Sequence, residues 1–326
     1  MLLVLAGSLL GACGRGHHVL EVVYVSAPQV ALRDRVAPVY NKVGLAKNGE
    51  RVEVLDRERR FVKVRTASGS EGWIEQRYTI SQQVFDQVQK LAQDNRNDAV
   101  QATGTTRNES NLHLEPARDS EHLYQLNQGS KLFILKRATT EKEGAAPPSG
   151  TQGKKEAPQP VMEDWWLVRD AEGHTGWILA RMMDLDVPLD VAQYAEGQRI
   201  QAFFVLDEVQ DDDKKIPEYL ILLSEPKDGM PFDYNQVRVF TWNLRRHRYE
   251  TAYRERKLEG FFPVTVSREN FDKEGTLPVF VLKVRDASGS LVDRKYKLNT
   301  PIVRRVLMPG EEPPKPAAPR RARRRR

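Results

Sequence analysis

The chain has 326 residues, of which 40% are apolar and 29% charged, enough for two or three domains of ~100–200 residues. That balance excludes collagenous, wholly disordered and polytopic membrane chains. The single cysteine excludes a disulfide framework and any cysteine-built zinc or iron–sulfur site. The formal charge of +6 is local: 51 Lys and Arg face 45 Asp and Glu, and six arginines fall in the last eight residues. The body is therefore neutral and lacks the basic footprint of a nucleic-acid binder.

Residues 1–12 (MLLVLAGSLLGA) are uncharged and apolar and precede Cys13. Twelve residues make ~18 Å of helix, short of the ~20 residues a membrane span needs, and fit the apolar core of a signal peptide. Leu10-Gly11-Ala12-Cys13 resembles the lipobox of bacterial lipoproteins. That resemblance implies cleavage before Cys13, acylation of its thiol, and a membrane anchor followed by a lipidated tether over 13–27.

The chain repeats itself. Residues 43–55 (VGLAKNGERVEVL) recur as 123–135 (LYQLNQGSKLFIL), with Gly49 and Gly129 in register. Residues 61–74 (FVKVRTASGSEGWI) recur as 165–178 (WWLVRDAEGHTGWI). The first offset is 80 and the second 104, so the second copy carries 24 extra residues. Most of them fall in 141–162, rich in Gly, Pro, Lys and Glu, a composition too polar to offset its ordering entropy and expected to form a flexible insert. Apolar–polar alternation (Val52, Val54; Val62, Val64) with glycine at the turns predicts short antiparallel strands closing a small barrel.

The block of alternating apolar residues, Arg, Ala-x-Gly and Gly-Trp-Ile, seen at Arg65 to Ile74 and Arg169 to Ile178, resembles the bacterial SH3-like domain of envelope and cell-wall proteins. The resemblance implies two such domains, 28–80 and 108–187, and a role in binding cell-wall material or an envelope protein. Where the family carries an Asn-Val-Arg-like strand, this chain has Leu32-Arg33 and Leu112-His113.

Between the copies, apolar residues at 84, 85, 88, 91 and 92 follow helical spacing behind Ser81 as N-cap, with Asn95 and Asn97 at the far end. A linking helix is expected within 81–98.

From 189 to 308 the pattern changes to eight short strands, 199–206, 219–223, 237–244, 248–254, 262–266, 279–285, 291–298 and 302–307, punctuated by turns such as Lys227-Asp228-Gly229. They predict an all-β sandwich or open barrel. Residues 280–290 (FVLKVRDASGS) echo 61–70, but no Gly-Trp follows. The segment 309–326 is Pro- and Arg-rich and reads as a disordered tail. The fold class is thus mainly β: two SH3-like barrels, one linking helix and a C-terminal all-β domain.

Little chemistry is spelled out. His17, His18, His113, His122, His174 and His247 show no His-x-x-x-His spacing, and there is no Gly-x-Ser-x-Gly elbow or phosphate loop. The one thiol is assigned to lipidation. No catalytic residue, metal site or cofactor is expected, and Asp211-Asp212-Asp213, followed by Lys214-Lys215, reads as a solvated turn. His247 lies among arginines, which should disfavour its charged form.

Trp73, Tyr78, Trp165, Trp166 and Trp177 have two readings, as core residues or as an exposed groove gripping a glycan or peptide, since Trp and Tyr combine contact area with a polar handle. Arg245, Arg246 and Arg248, beside Phe240, Trp242, Tyr249 and Tyr253, are candidates for an anionic partner. So are Arg320, Arg321, Arg323, Arg324, Arg325 and Arg326, for envelope polymers or lipid headgroups. Together these features lead to the expectation of a non-enzymatic lipoprotein outside the cytoplasm of a bacterial cell.

Overall fold

Alternating side chains become alternating faces. In the computed structural model, which describes residues 18–36, 41–142 and 160–307, Val52 and Val54 are fully buried while Arg51 is exposed and Glu53 half-buried, as a period of two requires; the alternation breaks where the register shifts between Val54 and Asp56. Cys13, the arginines from Arg320 onward and most of the 141–162 insert lie outside the described residues. Contacts divide the chain into two units: residues up to Gln89 with Glu121–Gln125, and Lys90–Ser120 with everything from Leu126 onward.

The first unit holds β1 (Glu21–Val25), β2 (Gln29–Arg33), β3 (Lys42–Lys47), β4 (Arg51–Glu58), β5 (Phe61–Arg65), β6 (Glu71–Glu75) and β7 (Thr79–Ser81). They form one antiparallel sheet in the order β3–β2–β6–β5–β4–β1–β7. It curls around Val23, Val25, Val30, Leu32, Val52, Val54, Val62, Val64 and Ile74. The tether expected over 13–27 is corrected here: Glu21–Val25 is a core strand, held between β4 and β7, because Val23 and Val25 complete the barrel interior.

The Gly-Trp pair has a steric origin. A Cβ on Gly72 would sit 2.7 Å from Leu32 Cβ and 3.0 Å from the Arg33 carbonyl oxygen, so glycine lets β2 cross close over β6. Gly176 meets Leu112 and His113 in the same way, at 2.7 and 3.1 Å. Gly72→Ala is expected to cost about 1–3 kcal/mol by overpacking, read as a lowered urea midpoint.

Helix α1 (Gln82–Asp94) follows. The Ser81 hydroxyl accepts from the Val84 N–H at 3.3 Å, an N-cap. Asn95 closes the other end by donating to the Leu91 carbonyl at 2.7 Å. Phe85 stacks on Tyr24 of the barrel with centroids 3.7 Å apart, and Val88 is buried.

The second set is β8 (Ala102–Thr106), β9 (Ser110–His113), β10 (His122–Leu126), β11 (Lys131–Glu141), β12 (Met162–Arg169), β13 (Thr175–Leu179) and β14 (Met183–Leu185). Its order, β10–β9–β13–β12–β11–β8–β14, reproduces that of the first sheet strand for strand. Both barrels carry a single 3₁₀ turn after the Gly-Trp strand, Gln76–Tyr78 and Ala180–Met182. The insert leaves from the paired ends of a longer hairpin, Glu141 opposite Met162.

The C-terminal sheet is a meander of β15 (Arg199–Asp211), β16 (Lys214–Ser224), β17 (Tyr234–Asn243), β18 (Arg248–Asn270), β19 (Thr276–Arg285), β20 (Leu291–Asn299) and β21 (Ile302–Val306), each paired to the next. A four-residue helix, α2 (Leu189–Ala192), precedes it. Seven strands replace the eight expected, because 248–254 and 262–266 are one strand. Within that strand Gly260 lies under the Tyr234 ring, where a Cβ would come within 2.1 Å, so glycine serves close approach there. The sheet folds back on itself. Arg268 of β18 pairs with Asp207 of β15 at 3.0 Å, and Thr300 donates to Glu218 of β16.

This sheet is fixed to the second barrel by buried polar contacts. Arg137 and Asp164, 4% and 2% exposed, pair at 2.7 Å. Arg137 also donates to the carbonyls of Met230 and Phe232, and Asp164 accepts from Thr139 and the Gly229 N–H. Gln101 binds both backbone groups of Val264. Burial pushes the Asp233 carboxyl beside Arg137 above its ordinary value.

Candidate functional site: an aromatic groove on the first barrel

Ile74 points into the first barrel, so its neighbours Trp73 and Glu75 share the outer face. The turn Gln76–Tyr78 then brings Tyr78 back beside them, anchored by its carbonyl, which accepts from the Ser26 N–H at 2.9 Å. Across β6, Trp73 lies in register with Arg33 of β2 and Lys63 of β5. The result is a groove of about 460 Å³ lined by Trp73, Tyr78, Phe61, Ala31, Arg33 and Glu75, among others.

Its floor is aromatic and its rim charged. The Arg77 guanidinium lies 4.9 Å over the Tyr78 ring and donates to the Tyr78 hydroxyl at 2.9 Å, while also pairing with Glu75 at 2.9 Å. Beyond Lys63, hydrogen bonds from Arg65 and Lys63 hold the Glu71 carboxyl below its usual range. Among the described residues, no cysteine, histidine or serine lines the groove. Such a surface can stack on the apolar face of a sugar or hold an apolar side chain, with hydrogen bonds available at its edge.

The second barrel treats the same positions differently. Trp177 is half-buried and sits opposite His113 and Leu167. Trp165, at the place of Phe61, is 2% exposed and meets His113 edge-on at 5.5 Å. Trp166 is 5% exposed and faces Phe262 of the C-terminal sheet. The expectation of an exposed groove containing Trp165 and Trp166 is corrected: β12 is buried on both faces from Glu163 to Val168, and the equivalent Phe61 and Val62 of β5 are buried as well, with alternation only from Lys63 onward. Burial lowers the tendency of His113 to protonate.

Arg245, Arg246 and Arg248 do reach solvent, at the β17–β18 hairpin. Arg246 and Arg248 are both held by Glu250, at 3.0 and 3.1 Å, which cancels part of the patch. The nearby aromatics are largely interior: Phe240 and Tyr249 are buried, and Trp242 meets Tyr249 edge-on. His247 reverses its expected behaviour. Asp211, which ends the strand before the Asp212-Asp213 turn, accepts from it at 2.8 Å and raises its affinity for protons. Asp170, Glu172 and His174 converge at the β12–β13 turn, where Asp170 accepts from the backbone N–H groups of Glu172 and His174 and shapes the hairpin.

Phe61 was legible as a repeat position, but Ala31 and Glu75 were not singled out. Their signal was the period of two around Ile74 and Val30. Among the described residues, no helix is long and apolar enough to cross a membrane.

No curated protein sequence matches the chain. Among solved structures it is similar to NlpC2 from Trichomonas vaginalis at 14% identity, TM-score 0.18, over 54% of this chain and 53% of that one. An NlpC/P60 family protein from Bacillus cereus ATCC 10987 gives 13% identity, TM-score 0.24, over 58% and 65%. NlpC1 from Trichomonas vaginalis gives 10%, 0.19, and 76% and 92%. The chain spans 53% and 65% of the first two proteins, and likeness at these scores carries no functional weight. The aromatic side chains of the groove fall inside residues 30–80, the segment that matches the bacterial SH3 domain family.

Proposed function

We propose that this chain is a non-enzymatic binding protein of the bacterial envelope, exported and anchored through an acylated Cys13, that grips cell-wall material or an envelope protein partner with its first barrel. One observation carries the reading. Trp73, Tyr78 and Phe61 line an open groove within the segment that matches the bacterial SH3 domain. The shared strand order supports reading the second barrel as a further copy of the same domain.

The second barrel's fixed junction with the C-terminal sheet favours one other role for that half, as the rigid part of an assembly lipoprotein that docks a larger complex. Arg245 and the arginine tail then serve an anionic surface.

Co-sedimentation with peptidoglycan sacculi tests the binding reading. Wild type is expected to pellet with sacculi. Trp73→Ala, at a half-buried aromatic that lines the groove, should weaken this by tenfold or more with an unchanged thermal transition, and Trp177→Ala should weaken it little. No pelleting of wild type, together with a protein partner recovered by crosslinking in cells, would transfer the role to assembly. Mass spectrometry of the mature N-terminus tests the anchor, and a free Cys13 thiol would refute it.

A further inference from the structure

The turn after α2 lies against the C-terminal sheet, where Tyr194 stacks on Phe240, and a polar cleft of about 320 Å³ opens beside it. Two of its lining residues hold a left-handed backbone that residues other than glycine rarely adopt: Glu196 at φ 55° and Lys257 at φ 62°. Strain of this kind gathers at ligand sites. Lys257 belongs to a bulge in β18, since Gln236 lies opposite Arg256 and Tyr234 opposite Gly260, which leaves 257–259 facing Asn235 alone. Bulges re-aim side chains, and Lys257 lines the cleft.

The charges here do not cancel. Glu196 is shared by Arg238 at 3.0 Å, Arg254 at 2.6 Å and Arg256 at 3.7 Å. Among the described residues no acid pairs with Lys257, and the other carboxylate on the lining is Glu225. These four cations face two carboxylates.

Gln236 adds a donor. Its strand pairs on both sides of it, with Leu223 and Arg256, so the 7% of it that stays exposed belongs to the side chain, which lines the cleft. Its Oε1 accepts from Arg256 Nε at 3.0 Å. That bond fixes the amide and leaves Nε2 a donor without a partner among the described residues, yet not sealed from solvent.

We propose that this cleft binds a small phosphomonoester with a hydroxyl-bearing body. The phosphate takes Arg256, Lys257 and Gln236 Nε2, and its charge of about −2 at neutral pH offsets the surplus of cations. Hydroxyls on the body have Glu225, Gln198 and Asn235 as partners. The site is independent of the aromatic groove and stands whatever that groove binds.

Glucose 6-phosphate and glucose 6-sulfate test it, because they share a body and differ in charge. Each is titrated into full-length ¹⁵N-labelled protein while the Gln236 side-chain amide is followed, a signal that Gln236→Glu removes. The phosphate is expected to shift it saturably and to bind about tenfold tighter than the sulfate, the worth of one charged contact. By calorimetry, Gln236→Glu, which keeps an acceptor for Arg256 but sets a negative charge where the donor was, should abolish binding. Lys257→Gly relieves the left-handed backbone, so it should melt no lower than wild type and still bind at least tenfold more weakly. If Gln236→Glu does not fold, calorimetry on wild type and Lys257→Gly decides. No saturable binding of the phosphate, equal affinity for the sulfate, or wild-type affinity in Lys257→Gly would overturn the proposal.

Discussion

Replacing Asp164 by alanine should destabilise the unit containing the second barrel by about 3–5 kcal/mol, the usual loss when one partner of a buried ion pair is removed. Asp164 is 2% exposed and takes hydrogen bonds from Arg137, Thr139 and Gly229, with Arg199 at 3.4 Å. Without it, the buried Arg137 keeps only Asp233 at 3.5 Å as an ionic partner, and Thr139 and the Gly229 N–H lose their acceptor. For a unit of this size the thermal midpoint should fall by roughly 6–20 °C. A loss under about 1 kcal/mol would mean that water reaches the junction.

Trp165→Ala should cost a similar amount, about 3–5 kcal/mol, through lost burial and the cavity left behind. Trp165→Phe should be mild. Its indole N–H is buried without a partner, so phenylalanine removes an unmet donor along with some volume, and the first barrel carries Phe61 at the equivalent place. Chemical denaturation followed by tryptophan fluorescence reads both. A phenylalanine variant as damaged as the alanine one would show that the indole has a partner after all.

Much of the barrel architecture was legible because it is written locally. Val52 and Val54 face inward by simple alternation, Gly49 and Gly129 mark the same turn, and the Gly-Trp strands recur at a constant spacing from their neighbours. Helix α1 announced itself through Ser81 and the apolar spacing that buries Val88. What stayed hidden depends on pairing across long stretches of chain. Glu21–Val25 follows an apolar leader, and only its partners β4 and β7 make it a strand. The join of 248–254 and 262–266 into one strand shows only once Tyr234 is placed over Gly260.

The sites divide in the same way. Trp73 and Tyr78 emerge because β6 alternates and a short turn follows it. Trp165 and Trp166 mislead, since two adjacent tryptophans on a strand face opposite sides and only a strand covered on both faces buries them together. A contrast between the repeats hinted at this: Lys63 in the first copy is Leu167 in the second, an outward polar position turned apolar. His247 shows the limit of reading charge along the chain. Its sequence neighbours are arginines, but Asp211, 36 positions away, sets its protonation.

The five tryptophans permit one direct reading of where a ligand lands. In a ¹H–¹⁵N spectrum each indole N–H gives its own signal, and soluble disaccharide-peptide fragments of the wall can be titrated in. Trp73 should shift and saturate while the buried Trp165 and Trp166 stay still. If no indole moves, or if only Trp177 or Trp242 responds, the first barrel is not the gripping surface.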